Sequence, residues 1–274
     1  MTKICEVAGG RIPALGFGTW QIEGADCRRA VLAAIEAGYR HIDTAQWYGN
    51  EDQVGAGLRE SAIAREELFL TTKLPPPSLN RDGVRKGCEE SLGRLQTDYV
   101  DLLLIHWPNS EVPLSETMDA MNALREAGKV KHVGVSNFPV SQLREAQRVS
   151  ACPLLCDQVE YHPYLSQRKV LDCCRRHGIL LAAYSSLARG KVLEDPVLQE
   201  IGRQYGKSPA QVSLRWLLQQ PGVIAVAKAA KADHVRANLD VFDFELTEAD
   251  MEAIFARACG LRLVAPPFAP KWDE

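Results

Sequence analysis

The sequence has little excess of charge of either sign. Its 274 residues include 32 lysines and arginines against 35 aspartates and glutamates, for a formal net charge of -3 at pH 7. It also has no basic run long enough to follow a phosphate backbone, as a nucleic-acid surface requires. We therefore expect no nucleic acid among its partners.

Long apolar runs are missing as well. No stretch of roughly 18 apolar residues, the length that spans a bilayer, occurs in the sequence. Near the N-terminus, Glu6 stands where a signal peptide would need its apolar segment. We expect a soluble cytoplasmic protein that does not enter a membrane. Because no heptad pattern indicates a helical interface, we expect a monomer.

The cysteines and histidines lack the spacing of metal sites. The eight cysteines include no C-x-x-C pair, and the six histidines show neither H-x-H nor H-E-x-x-H spacing. Cysteines in a cytosolic protein stay reduced. The sequence therefore predicts free thiols and no bound metal ion.

What the sequence does contain is an alternation of short apolar runs with helical patterns. The candidate strands are residues 15–17, 41–43, 68–72, 100–105, 132–136, 155–160, 179–184 and 223–226. The helical patterns include residues 25–37, 50–60, 81–95, 114–127, 141–148, 167–177 and 210–219. Eight strand–helix units in about 250 residues are typical of a (β/α)8 barrel, whereas a doubly wound sheet usually has about five or six parallel strands.

We predict an α/β fold, a (β/α)8 TIM barrel that forms a single domain over residues 1–274. Gly9-Gly10 lies between residues 4–7 and 11–14, which predicts a β-hairpin that plugs the N-terminal mouth of the barrel. After Glu248 we expect one helix and then an irregular, proline-rich tail that returns over the opposite face. Gly38, Gly128 and Gly178 each follow a predicted helix, where a left-handed residue is favoured.

Four polar residues lie at or near the ends of predicted strands, where barrels place their catalytic groups. They are Asp43, Tyr48, Lys73 and His106. A tyrosine hydroxyl, with a usual pKa of about 10, needs a nearby cation to act near neutrality. Lys73 can supply that cation while Asp43 holds the ammonium, and a neutral His106 can orient a substrate oxygen. Taken singly, each residue is equally compatible with a structural role, such as a helix cap or a packing tyrosine.

Six motifs along nearly the whole chain resemble the aldo-keto reductase family. They are Gly16-Phe17-Gly18-Thr19-Trp20, residues 38–45 with Tyr48-Gly49-Asn50-Glu51, Thr72-Lys73-Leu74, residues 98–102 through His106-Trp107-Pro108, Gly134-Val135-Ser136-Asn137-Phe138, and residues 158–164. The tail, residues 262–273, is most similar to the bacterial diketogluconate and methylglyoxal reductase branch.

The resemblance implies a catalytic tetrad and a reaction. Asp43, Tyr48, Lys73 and His106 match the family's four catalytic positions residue by residue. In the family, a nicotinamide dinucleotide delivers hydride to a carbonyl carbon, and the tyrosine protonates the carbonyl oxygen. The resemblance therefore implies a carbonyl reductase. It leaves open a cofactor-binding structural or regulatory subunit with little turnover, while the absent ligand spacing disfavours a metal-dependent barrel hydrolase.

The expected cofactor site is not of the Rossmann type. Gly16-Phe17-Gly18 is followed by Gln21 where the third glycine of a dinucleotide fingerprint would stand. The resemblance implies instead a dinucleotide that lies extended across the barrel mouth. The residues it assigns from the nicotinamide to the pyrophosphate are Gly18, Thr19, Trp20, Asp43, Ser136, Asn137, Gln158, Tyr184, Ser185 and Leu187.

The adenosine end departs from the family pattern. Lys228 is present, but His234 stands at a position where many members have arginine, and only Asn238 remains of the following Glu-Asn. Lysine favours a 2′-phosphate, whereas a histidine is mostly neutral at pH 7 and replaces a guanidinium poorly. We therefore expect NADPH as cofactor, with weaker discrimination against NADH. Lysines at a helix start are also compatible with plain solvent exposure.

Three tryptophans mark the expected substrate pocket. Trp20, Trp47 and Trp107 accompany Tyr48 and His106 around the proposed centre. No nearby lysine or arginine obviously clamps a carboxylate, so we expect a small neutral dicarbonyl, an aldehyde or a keto-sugar as substrate. In the family, the C-terminal segment sets the choice among them.

Overall fold

Eight parallel strands close into a barrel in the computed structural model, which describes residues 3–7 and 9–273. The strands of the barrel are β3 (Leu15–Gly18), β4 (His41–Asp43), β5 (Phe69–Leu74), β6 (Val100–Ile105), β7 (Val130–Ser136), β8 (Cys156–Glu160), β9 (Leu180–Tyr184) and β10 (Val223–Ala227). Each strand pairs with the next along the chain, and β10 returns to pair with β3. The predicted barrel is therefore confirmed. Met1, Thr2, Ala8 and Glu274 are not among the described residues.

The helices surround the barrel and cover its strands. They are α1 (Gly24–Ala37), α2 (Glu51–Glu60), α3 (Arg81–Leu95), α4 (Leu114–Glu126), α5 (Val140–Val149), α6 (Arg168–His177), α7 (Pro196–Tyr205), α8 (Pro209–Gln219), α9 (Ala232–Leu239) and α10 (Glu248–Phe255). Strands enclosed on both sides are buried along their length, as β5 and β6 are at every residue. Their charged residues, Lys73 and Asp101, are each paired with a residue of opposite charge. Gly38, Gly128 and Gly178 all have the left-handed backbone predicted for them.

Several predicted boundaries are wrong. The strand predicted at residues 68–72 runs from Phe69 to Leu74, so Lys73 lies within β5 and not after it. Burial of Lys73 inside the strand is possible because its ammonium is paired there. Helix α7 was not among the predicted patterns, although Asp195-Pro196 starts it: the Asp195 side chain accepts hydrogen bonds from the first turn. Most other boundaries shift by one or two residues.

A β-hairpin lies at the N-terminal mouth, as predicted. Strands β1 (Ile4–Val7) and β2 (Gly10–Pro13) pair antiparallel. A Cβ atom on Gly10 would come within 2.3 Å of the His132 ring, so only glycine lets the hairpin approach β7 this closely. The hairpin therefore closes this end of the barrel, and the opposite end carries the polar residues.

Candidate active site

The four candidate catalytic residues meet at the C-terminal face of the barrel. Asp43 ends β4, Lys73 is the penultimate residue of β5, and His106 directly follows β6. Tyr48 closes a short 3-10 turn, Gln46–Tyr48, in the loop after β4. Parallel strands of a barrel end at one face, so residues far apart in the sequence become neighbours there.

Lys73 is the centre of this cluster. Its Nζ lies 2.5 Å from Asp43 Oδ1, donates to the backbone oxygen of Thr44 at 2.8 Å, and reaches the Tyr48 hydroxyl at 3.3 Å. The second oxygen of Asp43 accepts a hydrogen bond from Gln158 Nε2 at 2.7 Å. The lysine side chain has no exposed surface, and Asp43 is 2 % exposed. A buried charge pair of this kind persists only where its remaining donors and acceptors are also satisfied.

The charges in the cluster shift the pKa values of its members. Burial alone would lower the pKa of Lys73, but the neighbouring Asp43 carboxylate and Tyr48 hydroxyl together outweigh burial. The pKa of Lys73 is therefore raised, and the ammonium persists. Burial raises the pKa of Tyr48, and Lys73 opposes this only in part. Lys73 therefore lies beside Tyr48, where the sequence predicts a cation, but the pKa of Tyr48 stays raised. The hydroxyl keeps its proton, which is the form that can donate it.

His106 is a neutral imidazole against the Tyr48 ring. The two ring centroids are 5.7 Å apart in an edge-to-face arrangement. Burial, together with the charge of Lys73, lowers the pKa of His106 to about 3. Its Nδ1 atom is buried and has no hydrogen-bond partner within the described residues. A neutral ring with an unused polar atom suits a group that awaits a polar ligand.

A polar set at the ends of β7 and β8 continues from the tetrad. Ser136 Oγ donates to the backbone oxygen of Gln158 at 2.7 Å, and Asn137 Nδ2 donates to the backbone oxygen of His106 at 2.9 Å. The Tyr184 hydroxyl donates to Asn137 Oδ1 at 2.7 Å. Asn137 holds a left-handed φ of +65°, a strained conformation of the kind that functional sites retain. Amide and hydroxyl groups beside an aromatic ring fit the ring and carboxamide of a nicotinamide.

The predicted pyrophosphate region lies between β3 and the loop after β9. A Cβ on Gly18 would lie 2.9 Å from Val226 and 3.9 Å from the Cβ of Lys228, so a glycine is required for this close packing. Thr19 is buried, and its hydroxyl donates to the backbone oxygen of Asp43 at 3.1 Å. Ser185 has a left-handed φ, and Leu187 packs partly buried against the core.

Sequence reasoning missed Arg189 in this region. Its guanidinium lies 5.2 Å from the centroid of the Trp20 ring, so the loop after β9 touches the loop after β3. Arg189 has a φ of +52°, next to Gly190 at +91°, and this backbone turns the side chain towards Trp20. The Arg189-Gly190 pair is the sequence signal that could have indicated it.

The predicted adenosine-end residues follow β10. Lys228 and His234 are exposed, while Asn238 on α9 is 5 % exposed. His234 stands in the first turn of α9, where backbone N–H groups favour an anion. The positive charge that could meet a 2′-phosphate is therefore on the surface, at the rim of the barrel.

The tryptophans Trp47 and Trp107, predicted to line a substrate pocket, belong to an aromatic cluster that includes a residue not predicted. Phe268 from the tail lies edge-on to Trp47 and Trp107, with ring centroids 5.8 and 5.6 Å away. Trp47 in turn is 5.6 Å from the His106 ring. The ring contact described for Trp20 is with Arg189, in the loop after β9. Phe268 sits in an irregular segment without periodic pattern, so the sequence held no signal for its position.

The described residues offer neither a metal site nor a membrane-spanning helix. In residues 3–7 and 9–273, histidine, cysteine and acidic side chains form no group that could hold a metal ion. Within the same residues, no helix has the length and apolar character needed to cross a membrane. All eight cysteines are free.

A (β/α)8 barrel with Asp, Tyr, Lys and His at its C-terminal face defines a class of carbonyl-reducing enzymes. The chain belongs to the aldo/keto reductase family, whose sequence model matches residues 14–257. It is an oxidoreductase that acts on carbonyl groups, and enzymes of this family use nicotinamide cofactors.

Its relatives point to a bacterial branch. The chain is 43 % identical to glyoxal reductase of Bacillus subtilis (strain 168), over 90 % of each chain. It is 40 % identical to methylglyoxal reductase DkgB of Escherichia coli O157:H7, over 96 % of this chain and 99 % of the relative. A crystal structure assigned provisionally as a 2,5-diketo-D-gluconic acid reductase B superposes with a TM-score of 0.98 at 47 % identity, over 100 % of this chain and 98 % of the other. The predicted resemblance is confirmed.

Proposed function

We propose that this protein reduces a small aldehyde, a dicarbonyl such as methylglyoxal, or a keto-sugar to an alcohol with NADPH, and that Tyr48 is the general acid. One observation carries the proposal: the Tyr48 hydroxyl lies 3.3 Å from the ammonium of Lys73, which is itself held by the buried Asp43 carboxylate. Relatives named glyoxal reductase and methylglyoxal reductase support the substrate class.

The proposed mechanism assigns a step to each member of the tetrad. Reduced nicotinamide, when bound, supplies a hydride to the carbonyl carbon. The protonated Tyr48 donates its proton to the carbonyl oxygen, and the Lys73 ammonium stabilises the phenolate that remains. Asp43 keeps the ammonium in place, and the neutral His106 orients the carbonyl oxygen through a hydrogen bond. The raised pKa of Tyr48 means that the proton is present at neutral pH before the reaction starts.

We propose that the chain's own residues hold the cofactor in the order predicted. Ser136, Asn137 and Gln158 would hold the carboxamide, and Tyr184 would offer its ring to the nicotinamide. A neighbour, the Bombyx mori aldo-keto reductase, was solved with NADP and superposes with a TM-score of 0.90 at 34 % identity, covering 96 % of this chain and 95 % of that one. Lys228 would favour NADPH, and His234 in place of arginine would leave the preference over NADH modest.

The test compares the wild type with a Tyr48→Phe variant. Loss of near-ultraviolet NADPH absorbance on addition of methylglyoxal measures turnover, and quenching of tryptophan fluorescence measures cofactor binding. We expect Tyr48→Phe to lose about 10²- to 10⁴-fold in turnover while its NADPH affinity is kept. The matched control is Tyr205→Phe, because Tyr205 also donates its hydroxyl proton, to Asp250, but lies on the outer helices. The control should retain full activity.

The outcomes separate the two functions that the sequence left open. Near-normal turnover in Tyr48→Phe would overturn its role as general acid. Wild-type protein that binds NADPH but reduces none of a panel of aldehydes and dicarbonyls would favour a cofactor-binding structural or regulatory subunit. Wild-type protein that binds no nicotinamide cofactor would overturn both.

We also propose that residues 1–274 form one domain that works as a monomer in the cytoplasm. The free cysteines support a reducing compartment. Light scattering after gel filtration would show the mass of one chain, 30.3 kDa, if the protein is a monomer. A dimer mass would contradict it.

A further inference from the structure

We propose that Glu160 is a positioning residue: its buried carboxylate fixes the C-terminal strap, residues 261–273, across the catalytic face and thereby sets which carbonyl substrates fit. Glu160 is the last residue of β8 and has no exposed surface. The mechanism proposed above does not use it. The inference about substrate choice rests on that proposed function, whereas the inference about the strap does not.

Within residues 3–7 and 9–273, the three groups described as hydrogen-bonded to the Glu160 carboxylate are all donors. The backbone N–H of Leu263 donates to Oε1 at 2.7 Å, and that of Val264 donates to Oε2 at 2.9 Å. The third partner is His162, whose Nε2 lies 3.0 Å from Oε1. Because the Tyr164 N–H donates to His162 Nδ1 at 3.3 Å, the ring proton is on Nε2 and points at Glu160.

This donor set requires a carboxylate at position 160. A glutamine has the same length, but its amide would place an N–H group against one of the donors and leave a buried donor unsatisfied. The bonds to an ionised carboxylate are also stronger than bonds to a neutral amide. The site is therefore built to hold two successive N–H groups of the strap.

The strap is attached at both ends. Next to the Glu160 anchor, the backbone oxygen of Tyr164 accepts hydrogen bonds from Cys259 and Leu261, both at 3.1 Å. At the far end, the exposed Asp273 side chain accepts from the N–H of Val140 at the start of α5, at 2.6 Å. The buried anchor is the stronger of the two, because water competes for the exposed one.

Phe268 lies in the strap between these two points of attachment. It is 50 % exposed, and the aromatic contacts described for it are the ring edges of Trp47 and Trp107. A side chain so exposed has little packing of its own to fix it, so its place depends on where the strap runs. Loosening the strap at Glu160 would therefore displace one wall of the substrate pocket and leave Tyr48, Lys73 and Asp43 untouched.

The experiment measures strap mobility and substrate choice separately. Trypsin can cut after Arg262, and mass spectrometry then detects the released peptide that begins at Leu263. Steady-state kinetics with methylglyoxal and with phenylglyoxal compare a small carbonyl with one that needs the aromatic wall. For Glu160→Gln we expect release to be faster by about tenfold and the KM for phenylglyoxal to rise by about as much. The kcat for both substrates and the KM for methylglyoxal should stay within about twofold of the wild type.

The matched control is Asp101→Asn. Asp101 is also a buried carboxylate, 4 % exposed, and accepts a backbone N–H, that of Leu70, at 3.0 Å. It pairs with Arg65 near the N-terminal mouth, far from the strap. A general loss of stability would appear in this variant as well, whereas faster release of the strap and the change in KM for phenylglyoxal should not.

A second variant, Val264→Pro, keeps the inference testable if Glu160→Gln does not fold. It removes one N–H that Glu160 accepts but lies in the strap, outside the barrel core. We expect the same faster release and the same rise in KM. Unchanged release in both soluble variants would overturn the inference, and so would a parallel change in kcat for both substrates. If the wild type reduced no carbonyl, the proposed function would fail while the trypsin measurement still decided the role of Glu160 in the strap.

Discussion

Replacing Lys73 by methionine separates the stability of the catalytic cluster from its chemistry. The substitution removes the ammonium but leaves the Asp43 carboxylate 2 % exposed, with Gln158 as its remaining side-chain partner. A buried charge that loses its partner costs about 3–5 kcal/mol. We therefore expect Lys73→Met to lower the free energy of unfolding by about that amount, and the turnover to fall by about 10²-fold or more because Tyr48 loses its neighbouring cation.

The double variant Asp43→Asn with Lys73→Met removes the stranded charge. Asparagine can still accept the hydrogen bond from Gln158, so most of the lost stability should return, to within about 1–2 kcal/mol of the wild type. Activity should not return, because the ammonium is still missing. Urea unfolding followed by circular dichroism gives the stability, and NADPH oxidation with methylglyoxal gives the turnover.

The control for this pair is Arg65→Met, which breaks the ion pair with Asp101 near the other end of the barrel. It should lose stability and keep its kcat. A double variant as unstable as Lys73→Met would refute the argument about the stranded charge. Turnover that recovers together with stability would refute the role given to Lys73.

Three further predictions concern the cofactor, the pocket and pH. Lys228→Met should raise the Kd for NADPH by about tenfold and hardly change the Kd for NADH, both measured by fluorescence titration. An equal loss of affinity for the two cofactors would contradict the proposal that Lys228 binds the 2′-phosphate. Phe268→Ala should raise the KM for phenylglyoxal by about twofold to tenfold with the kcat kept, and an unchanged KM would remove Phe268 from the pocket. Stability should fall on acidification: because the pKa of His106 is lowered to about 3 in the folded protein, the unfolded chain binds the extra proton below its ordinary value of about 6.5. The free energy of unfolding should fall by about 2 kcal/mol between pH 7 and pH 5, and the loss should be complete near pH 3. In urea titrations, the stability of His106→Asn should depend less on pH than that of the wild type between pH 7 and pH 5.

The barrel itself could be predicted from the sequence because its strands obey a strict physical demand. Strands covered on both sides must be largely apolar, and runs such as Val223–Ala227 meet that demand without help from distant residues. The strand whose C-terminal end was misplaced furthest, Phe69–Leu74, contains Lys73, a charged residue that pattern reasoning puts outside a strand. Its burial is possible because its ammonium pairs with Asp43 at the end of the neighbouring strand β4.

Some features of the candidate site could also be predicted from the sequence, and others could not. Asp43, Tyr48, Lys73 and His106 were found because each lies at or near the end of a strand in a family motif, and strand ends of a barrel meet at one face. The net pKa direction of Tyr48 was not predictable, since burial and the Lys73 charge oppose each other and only the packing decides which is larger. Arg189 was missed because its contact with Trp20 depends on a left-handed turn between two loops.

The sequence by itself determined the family, the barrel and the four side chains at its catalytic face, because periodicity and motifs are local and survive without knowledge of distant contacts. The tertiary structure decided how the tail runs, which aromatic residue joins Trp47 and Trp107, and what holds it there. Those depend on single long-range hydrogen bonds, such as the one from Leu263 to Glu160, between segments about a hundred residues apart. An irregular segment has no repeating pattern, so its position is fixed by the partners it meets and not by its own residues.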